Sequence, residues 1–284
     1  MTRAEQLSAP CTVHGEGPVW DARGDRLLVV DMLAGVVVDL ARPDQPERSS
    51  VGTVAAALRP RRDGGFVVAL EHGFALVDDA FVQQGEETAA LDDPAVRMND
   101  GGCDPQGRFY CGTMAYDSSP GAGTLYRFDP DRRVEPVLTG VTISNGLQWS
   151  ADGQRAFYND TPTGQVDVLD FDAATGTFGE RRRFAAVTGD GAPDGMAIDA
   201  EDGLWVALWG GSRVARFDAD GALSEVVELP VSQVTACAFG GPDLSRLFIT
   251  TSREGLPEGE EPGAGAVFTL EPGVRGAELH PFAG

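Results

Sequence analysis

A short strand-like run recurs six times along the chain at a nearly constant spacing. Five of the copies open with glycine, and all continue with β-branched, aromatic or aliphatic residues. The copies lie at residues 24–31, 64–70, 107–113, 153–160, 203–208 and 244–251. Their spacing of roughly 40 to 50 residues is that of one propeller blade. The repeat therefore predicts a ring of six similar units.

A second strand-like run follows each copy after a turn. These runs lie at residues 36–40, 74–78, 123–129, 165–172, 213–218 and 266–270. Apolar and polar residues alternate between Gly, Pro and Asp turns, which is typical of antiparallel strands, and no long stretch has a helical period. We therefore predict an all-β fold, a six-bladed β-propeller of four-stranded antiparallel blades, as a single domain over residues 1–284. A first strand around residues 7–12 is expected to belong to the last blade.

Each unit has one more run before these two, and we expect it to be the innermost strand, lining the central channel. In four of the six units this run carries a carboxylate or carboxamide directly before glycine, at Glu16, Asp100, Asn145 and Asp194. The equivalent positions of the other two units fall near Ala56 and Thr235. The inner strands of a propeller converge, so the four polar side chains are predicted to meet near the axis.

Carboxylates that meet in this way repel one another and lose hydration, so they must be protonated, solvated or neutralised by a cation. A divalent ion is the simplest solution, and oxygen ligands suit Ca²⁺, Mg²⁺ or Mn²⁺ and also hold Zn²⁺ or Fe²⁺. The glycine after each polar residue is expected to leave room beside such an ion. Asp-Gly and Asn-Gly are also common turn dipeptides, which keeps a purely structural role open.

Five segments that contain these positions resemble the SMP-30/gluconolactonase/regucalcin family of six-bladed propellers. They are residues 15–21, 97–114, 143–150, 193–207 and 237–244, in order from Gly15 toward the C-terminus. The resemblance implies a single divalent ion held by Glu16, Asn145 and Asp194, three of the four positions that the repeat indicates. It also implies that Asp194 acts as the general base.

The resemblance further implies a substrate site beside the metal. Arg97 and Asn99 match residues of the family that contact the sugar. Asp117 falls where members of the family carry a substrate-contacting glutamate, and its shorter side chain is a departure from the pattern. The implied reaction is metal-dependent hydrolysis of a neutral sugar lactone, such as a glucono-, xylono- or arabinono-lactone, to the aldonic acid.

Charge and targeting signals limit the other partners. The chain has 44 acidic and 22 basic residues and a net charge of −22, which opposes binding to nucleic acid or to anionic membranes. It has no clean apolar stretch of the roughly 20 residues that span a bilayer, and its first residues lack the apolar core of a secretory signal. The four cysteines are scattered without metal-site spacing. We therefore expect a cytoplasmic protein without membrane or nucleic-acid partners.

Other hydrolase designs find little support. No G-x-S-x-G motif is present, and the three histidines, His14, His72 and His280, are far apart in the sequence, so a Ser-His-Asp triad is not indicated. We expect these histidines to be ordinary residues and Trp209 to be blade core.

Because one fold hosts many functions, two alternatives stay open. They are a non-catalytic, metal-stabilised binding propeller and a metal-dependent esterase or organophosphate hydrolase.

Overall fold

Six antiparallel sheets follow one another along the chain in the computed structural model, which describes residues 2–284. The strands of blades I to III are β3 (Gly15–Asp21), β4 (Arg26–Asp31), β5 (Val36–Asp39) and β6 (Glu47–Ser50); β7 (Ala57–Pro60), β8 (Phe66–Ala69), β9 (Gly73–Val77) and β10 (Thr88–Ala89); and β11 (Val96–Cys103), β12 (Phe109–Ala115), β13 (Gly123–Phe128) and β14 (Val134–Val141).

The second half of the chain repeats this arrangement. Blades IV to VI contain β15 (Ser144–Trp149), β16 (Arg155–Asp160), β17 (Gln165–Asp172) and β18 (Thr177–Ala186); β19 (Ala192–Ile198), β20 (Leu204–Trp209), β21 (Arg213–Phe217) and β22 (Leu223–Glu228); and β23 (Val234–Gly240), β24 (Arg246–Thr251) and β25 (Phe268–Leu270). Two short 3-10 helices, η1 (Met32–Ala34) and η2 (Thr161–Thr163), follow β4 and β16. The predicted six-bladed propeller and its second and third strands are confirmed.

The innermost strands form a closed ring. Each of them lies at the edge of its sheet and contacts the innermost strand of the next blade, in the order β3, β7, β11, β15, β19 and β23. Strand β23 then contacts β3 and closes the ring.

Within residues 2–284, no helix has the length and apolar character needed to cross a bilayer.

The N-terminus supplies the outer strand of blade VI. Strand β2 (Glu5–Gln6) pairs antiparallel with β25. The predicted blade is correct, but the strand lies before residues 7–12. Residues 7–12 lie beside blade VI and form only isolated hydrogen bonds with it, such as the one from Leu7 N to Val267 O (2.8 Å). Pro10 has no N–H group with which to extend a strand ladder. Strand β1 (Thr2–Arg3) adds a fifth, parallel strand to blade V.

The apolar core lies between neighbouring sheets. All four residues of β8 are buried, because a blade is covered on both faces, and this explains why the second strands appear as continuous apolar runs in the sequence. Blades II and III are joined by stacked rings, with Phe74 and Phe128 centroids 4.8 Å apart and Phe128 and Phe282 centroids 5.3 Å apart. All four cysteines are free thiols, three of them buried.

The C-terminal segment crosses one end of the channel. Ala277 N donates to Ile198 O of blade V (3.1 Å), and Phe282 N donates to Pro60 O of blade II (2.8 Å). Between these anchors, Glu278 and Leu279 line a small cavity below the hub. This end of the channel, called the lower end here, is therefore covered by the chain's own tail.

Candidate metal and substrate site

The innermost strand is bulged at the same level in five of the six described blades. The pairing with the second strand shifts register after Glu16, Met98, Asn145, Pro193 and Val234. A bulge inserts an unpaired residue and turns a side chain away from its place in the regular ladder. Glu16 and Asn145 are the last paired residues before two of these bulges, and Asp194 lies within a third, so the repeat places the three polar side chains at one level of the inner strands.

The carboxylate–glycine pairs have a local explanation. Glu16 Oε2 accepts a hydrogen bond from Gly17 N (3.0 Å), and Asp100 Oδ1 accepts one from Gly101 N (2.7 Å). Asp194 likewise accepts the N–H of the glycine that follows it. Each acidic side chain is thus folded back onto the backbone of its own bulge, which fixes its direction.

The glycines make room for protein rather than for an ion. A Cβ on Gly195 would lie 2.5 Å from the Cβ of Ala236 in the next inner strand, and one on Gly146 would lie 2.8 Å from Asp194 O. Neither distance is compatible with a side chain. The expectation that these glycines clear space beside a metal is therefore replaced by close packing between adjacent inner strands.

Five of the six residues predicted for the site line one cavity of about 290 Å³ at the upper end of the channel. They are Glu16, Arg97, Asn99, Asn145 and Asp194. All five are at least nine-tenths buried. Residues from blades I, III, IV and V, separated by up to 178 positions between Glu16 and Asp194, therefore meet in one place.

Asp117 does not line this cavity. Its side chain is exposed and accepts a hydrogen bond from Ser119 N (3.0 Å), while its neighbours Tyr116 and Ser118 are lining residues. A substrate contact by Asp117 stays a prediction.

The hub is short of positive charge. Burial, followed by the nearby Asp100 carboxylate, raises the pKa of Glu16 to about 8. Burial and then Glu16 and Asp100 raise the pKa of Asp194 well above its usual range, and burial also raises that of Asp100. Arg97 and Arg59 are the cations near these groups, and burial lowers the pKa of Arg97.

These residues fit a hard divalent cation. Within residues 2–284 no group of three His, Cys, Asp or Glu side chains is placed to hold a metal, and the amide oxygen of Asn145 would complete a donor set with Glu16 and Asp194. Two carboxylates and one amide oxygen are a donor set for Ca²⁺, Mg²⁺ or Mn²⁺. A cation there would also relieve the repulsion between Glu16 and Asp194.

A hydrogen-bond chain joins the substrate side of the cavity to this donor set. Arg97 Nη1 donates to Asn99 Oδ1 (2.6 Å), and Asn99 Nδ2 donates to Asn145 Oδ1 (2.9 Å) and to Ser144 O (2.9 Å). Arg97 Nε is buried without a partner among the described residues. The guanidinium also lies over the Tyr116 ring, 5.7 Å from its centroid, so its position is fixed from several sides.

Two equivalent aspartates hold the segments that enter the inner strands. Asp31, at the end of β4, accepts the N–H groups of residues 13–14, and Asp160, at the end of β16, accepts those of residues 142–143. These backbone segments immediately precede Glu16 and Asn145. The repeat contains both aspartates, but their role follows only from the fold.

The upper rim contains residues that the sequence did not indicate. Trp209, expected in the blade core, instead lines the cavity together with His14, Tyr116 and Glu254. His14 Nδ1 lies 2.9 Å from Ser252 Oγ, and burial, followed by Arg97, lowers the His14 pKa to about 4. Its ring is therefore neutral at physiological pH. The one sequence signal for Trp209 is its place at the end of a second strand, before two glycines.

A family profile described as SMP-30/Gluconolactonase/LRE-like region matches residues 14–253. The chain belongs to this family. Regucalcin from Gallus gallus is 38% identical over 285 residues, which cover 95% of this chain and 95% of the relative. This membership accounts for the resemblance seen in the inner-strand segments.

Solved structures agree with the fold. A structure from Agrobacterium tumefaciens described as a calcium-binding protein, regucalcin, superposes with a TM-score of 0.90 at 30% identity, covering 100% of this chain and 98% of the other. A gluconolactonase from Xanthomonas campestris has a TM-score of 0.77 at 19% identity, covering 96% and 89%, and this likeness concerns the fold alone.

Proposed function

We propose that this protein is a divalent-metal-dependent lactonase that hydrolyses a neutral sugar lactone to the aldonic acid. One observation carries the proposal: Glu16, Asn145, Asp194, Arg97 and Asn99 line the same cavity, although they come from four blades. Family membership favours this activity because gluconolactonases are among the solved structures that share the fold.

The metal ligands in this proposal are Glu16, Asn145 and Asp194. When bound, the ion supplies Lewis acidity toward the lactone carbonyl and its attacking water. The two carboxylates supply the negative charge that holds it, and Asn145 supplies a neutral oxygen. Asp100 lies beside the two carboxylates and faces Arg59, so we assign it to charge balance below the site.

Asp194 is the proposed general base. Its carboxylate lies on the cavity floor and is buried, where a water molecule entering from the upper end would lie within reach. Burial and the neighbouring carboxylates raise its pKa, and a cation bound beside it would favour the ionised form that a base requires. In this role Asp194 takes the proton that the attacking water releases.

Arg97 and Asn99 are the proposed sugar-binding residues. Arg97 lines the cavity, and a guanidinium can donate hydrogen bonds to a hydroxyl or ring oxygen. Trp209 and Tyr116 form aromatic walls against which the apolar face of a sugar ring packs. Glu254 on the rim and the net charge of −22 favour a neutral substrate over an anionic one and promote release of the aldonate.

The test is a titration of acid release from a panel of aldonolactones by the purified protein. We expect turnover that chelator abolishes and that divalent ions restore. Asp194→Asn removes turnover, whereas Asp220→Asn, which changes an exposed carboxylate far from the cavity, leaves it unchanged. Turnover that is insensitive to chelator, or full activity in folded Asp194→Asn, would overturn the proposal.

A second candidate is a calcium-binding propeller without catalysis. The solved relative described as a calcium-binding protein favours it. It predicts a protein that binds Ca²⁺ at the hub and is inert toward the lactone panel. Turnover of esters or organophosphates alone would instead indicate a different substrate class for the same site.

The four free cysteines suit a reducing compartment, so we propose a cytoplasmic location.

A further inference from the structure

Thr161, the first residue of helix η2, lies between two of the residues that the proposed metal site needs. Its hydroxyl donates to Pro193 O (2.8 Å), directly before Asp194, and accepts a hydrogen bond from Asn145 Nδ2 (2.8 Å). Thr161 also lines the upper cavity. A single side chain therefore links the carboxamide on β15 to the backbone that carries the carboxylate on β19.

The direction of these bonds is fixed by chemistry. A backbone carbonyl only accepts, so Pro193 O takes the single proton of the Thr161 hydroxyl. The hydroxyl then has only lone pairs left for Asn145, so it can only accept a hydrogen bond there. The group of Asn145 that faces it must therefore be the donor, the amide nitrogen Nδ2. Asn145 must consequently turn Nδ2 toward Thr161 and Oδ1 away from it.

The backbone carbonyl of Ser144 fixes the orientation of the Asn99 carboxamide in the same way. Ser144 O requires Asn99 to present Nδ2, and that nitrogen also donates to Asn145 Oδ1, 2.9 Å away. Asn99 Oδ1 is occupied by Arg97 Nη1. The orientation of both carboxamides thus follows from groups whose donor or acceptor character cannot change.

We infer that Thr161 is a positioning residue that holds the Asn145 carboxamide with its oxygen toward the hub. The inference rests on the proposed function, since it concerns how Asn145 presents its oxygen to a metal ion. Without the hydroxyl, Nδ2 of Asn145 and the Pro193 carbonyl both lose a partner. The amide is then held only by the bond from Asn99 to its oxygen, so that oxygen is less firmly positioned to bind a cation. Groups that orient metal ligands in this way typically change affinity by about 10- to 100-fold.

The experiment compares Thr161→Val, which is nearly isosteric, with Thr161→Ser, which keeps the hydroxyl. Chelator-treated protein is titrated with Ca²⁺ and with Mn²⁺ by calorimetry, and melting temperatures are measured with and without the ion. We expect Thr161→Val to bind the ion about 10- to 100-fold more weakly and to gain less thermal stability from it. Thr161→Ser should bind about as tightly as the parent.

Thr163→Val is the matched control. It removes a hydroxyl from the same helix, one that bonds Asp160 O and does not contact Asn145, and should leave affinity unchanged. A purely structural role for Thr161 would lower the melting temperature equally with and without the ion. If Thr161→Val does not fold, Thr161→Ala takes its place in the comparison.

The outcomes separate this inference from the proposed function. Parent-like affinity in Thr161→Val, or a loss in Thr161→Ser as large as in Thr161→Val, overturns the inference alone. A parent protein that binds neither ion overturns both proposals. A selective loss in Thr161→Val supports both.

Discussion

Replacing Glu16 by Gln should change the stability of the protein in opposite directions with and without a divalent ion. Glu16 is 3% exposed, and burial with the nearby Asp100 raises its pKa from the usual 4.5 to about 8. Its ionisation is therefore easier in the unfolded chain than in the folded one. The stability associated with the protonated side chain is complete below pH 4.5 and is lost as the pH rises toward about 8.

The magnitude follows from the same two values. A pKa raised from 4.5 to about 8 corresponds to about 5 kcal/mol at higher pH, at about 1.4 kcal/mol for each tenfold change in the ionisation constant. Glutamine carries no charge at any pH. In chelator near pH 8, Glu16→Gln should therefore be more stable than the parent by up to about 5 kcal/mol, or roughly 5–15 °C in melting temperature.

With saturating Ca²⁺ the order should reverse, because the variant has lost one of the charged ligands proposed for the ion. The assay is thermal unfolding by circular dichroism in chelator and in Ca²⁺, near pH 4.5 and near pH 8. Glu258→Gln, at an exposed position, is the control and should change little under any condition. A Glu16→Gln variant less stable than the parent in chelator near pH 8 would refute the argument from buried charge.

Three further predictions concern the proposed base, the apolar core and the thiols. Asp194→Asn should lower kcat by about 10²- to 10⁴-fold with an unchanged circular dichroism spectrum, and steady-state kinetics will show whether KM alone changes instead. Phe282→Ala should destabilise the fold by about 3–5 kcal/mol, since the ring is fully buried against Phe128; a urea midpoint equal to the parent's would contradict this. Burial raises the pKa of every cysteine, and Cys11 is the least buried. A thiol reagent should modify at most one cysteine, Cys11, in native protein and all four after unfolding.

The sequence predicts the fold because every blade obeys the same period. The second strands are buried nearly throughout and appear as recurring apolar runs, and a third strand follows each of them after a turn, so the order and number of the strands can be counted. The polar residues at the hub are predictable for a related reason. Because the bulge recurs at one level of the inner strands, Glu16, Asn145 and Asp194 occupy equivalent places in the repeat.

The rim and the supporting contacts follow the period in place but not in residue type. Trp209, Tyr116, Thr161 and Glu254 lie at or shortly after the ends of second strands. They share no residue type, and the connections that follow differ in length, so the repeat does not mark them as parts of a site. Asp117 illustrates the same limit, because its position in the sequence next to Ser118 does not place its side chain in the cavity.

The pairing of β2 with β25 has a consequence for biosynthesis. Residues 5–6 complete a blade only with residues 268–270, so the ring stays open until residue 270 has left the ribosome. Contacts between such distant parts of a chain form slowly. The N-terminal segment must therefore wait, unpaired, while five blades are made, and an interrupted translation product would retain Glu16 on a sheet without the closed hub that the proposed cation site requires.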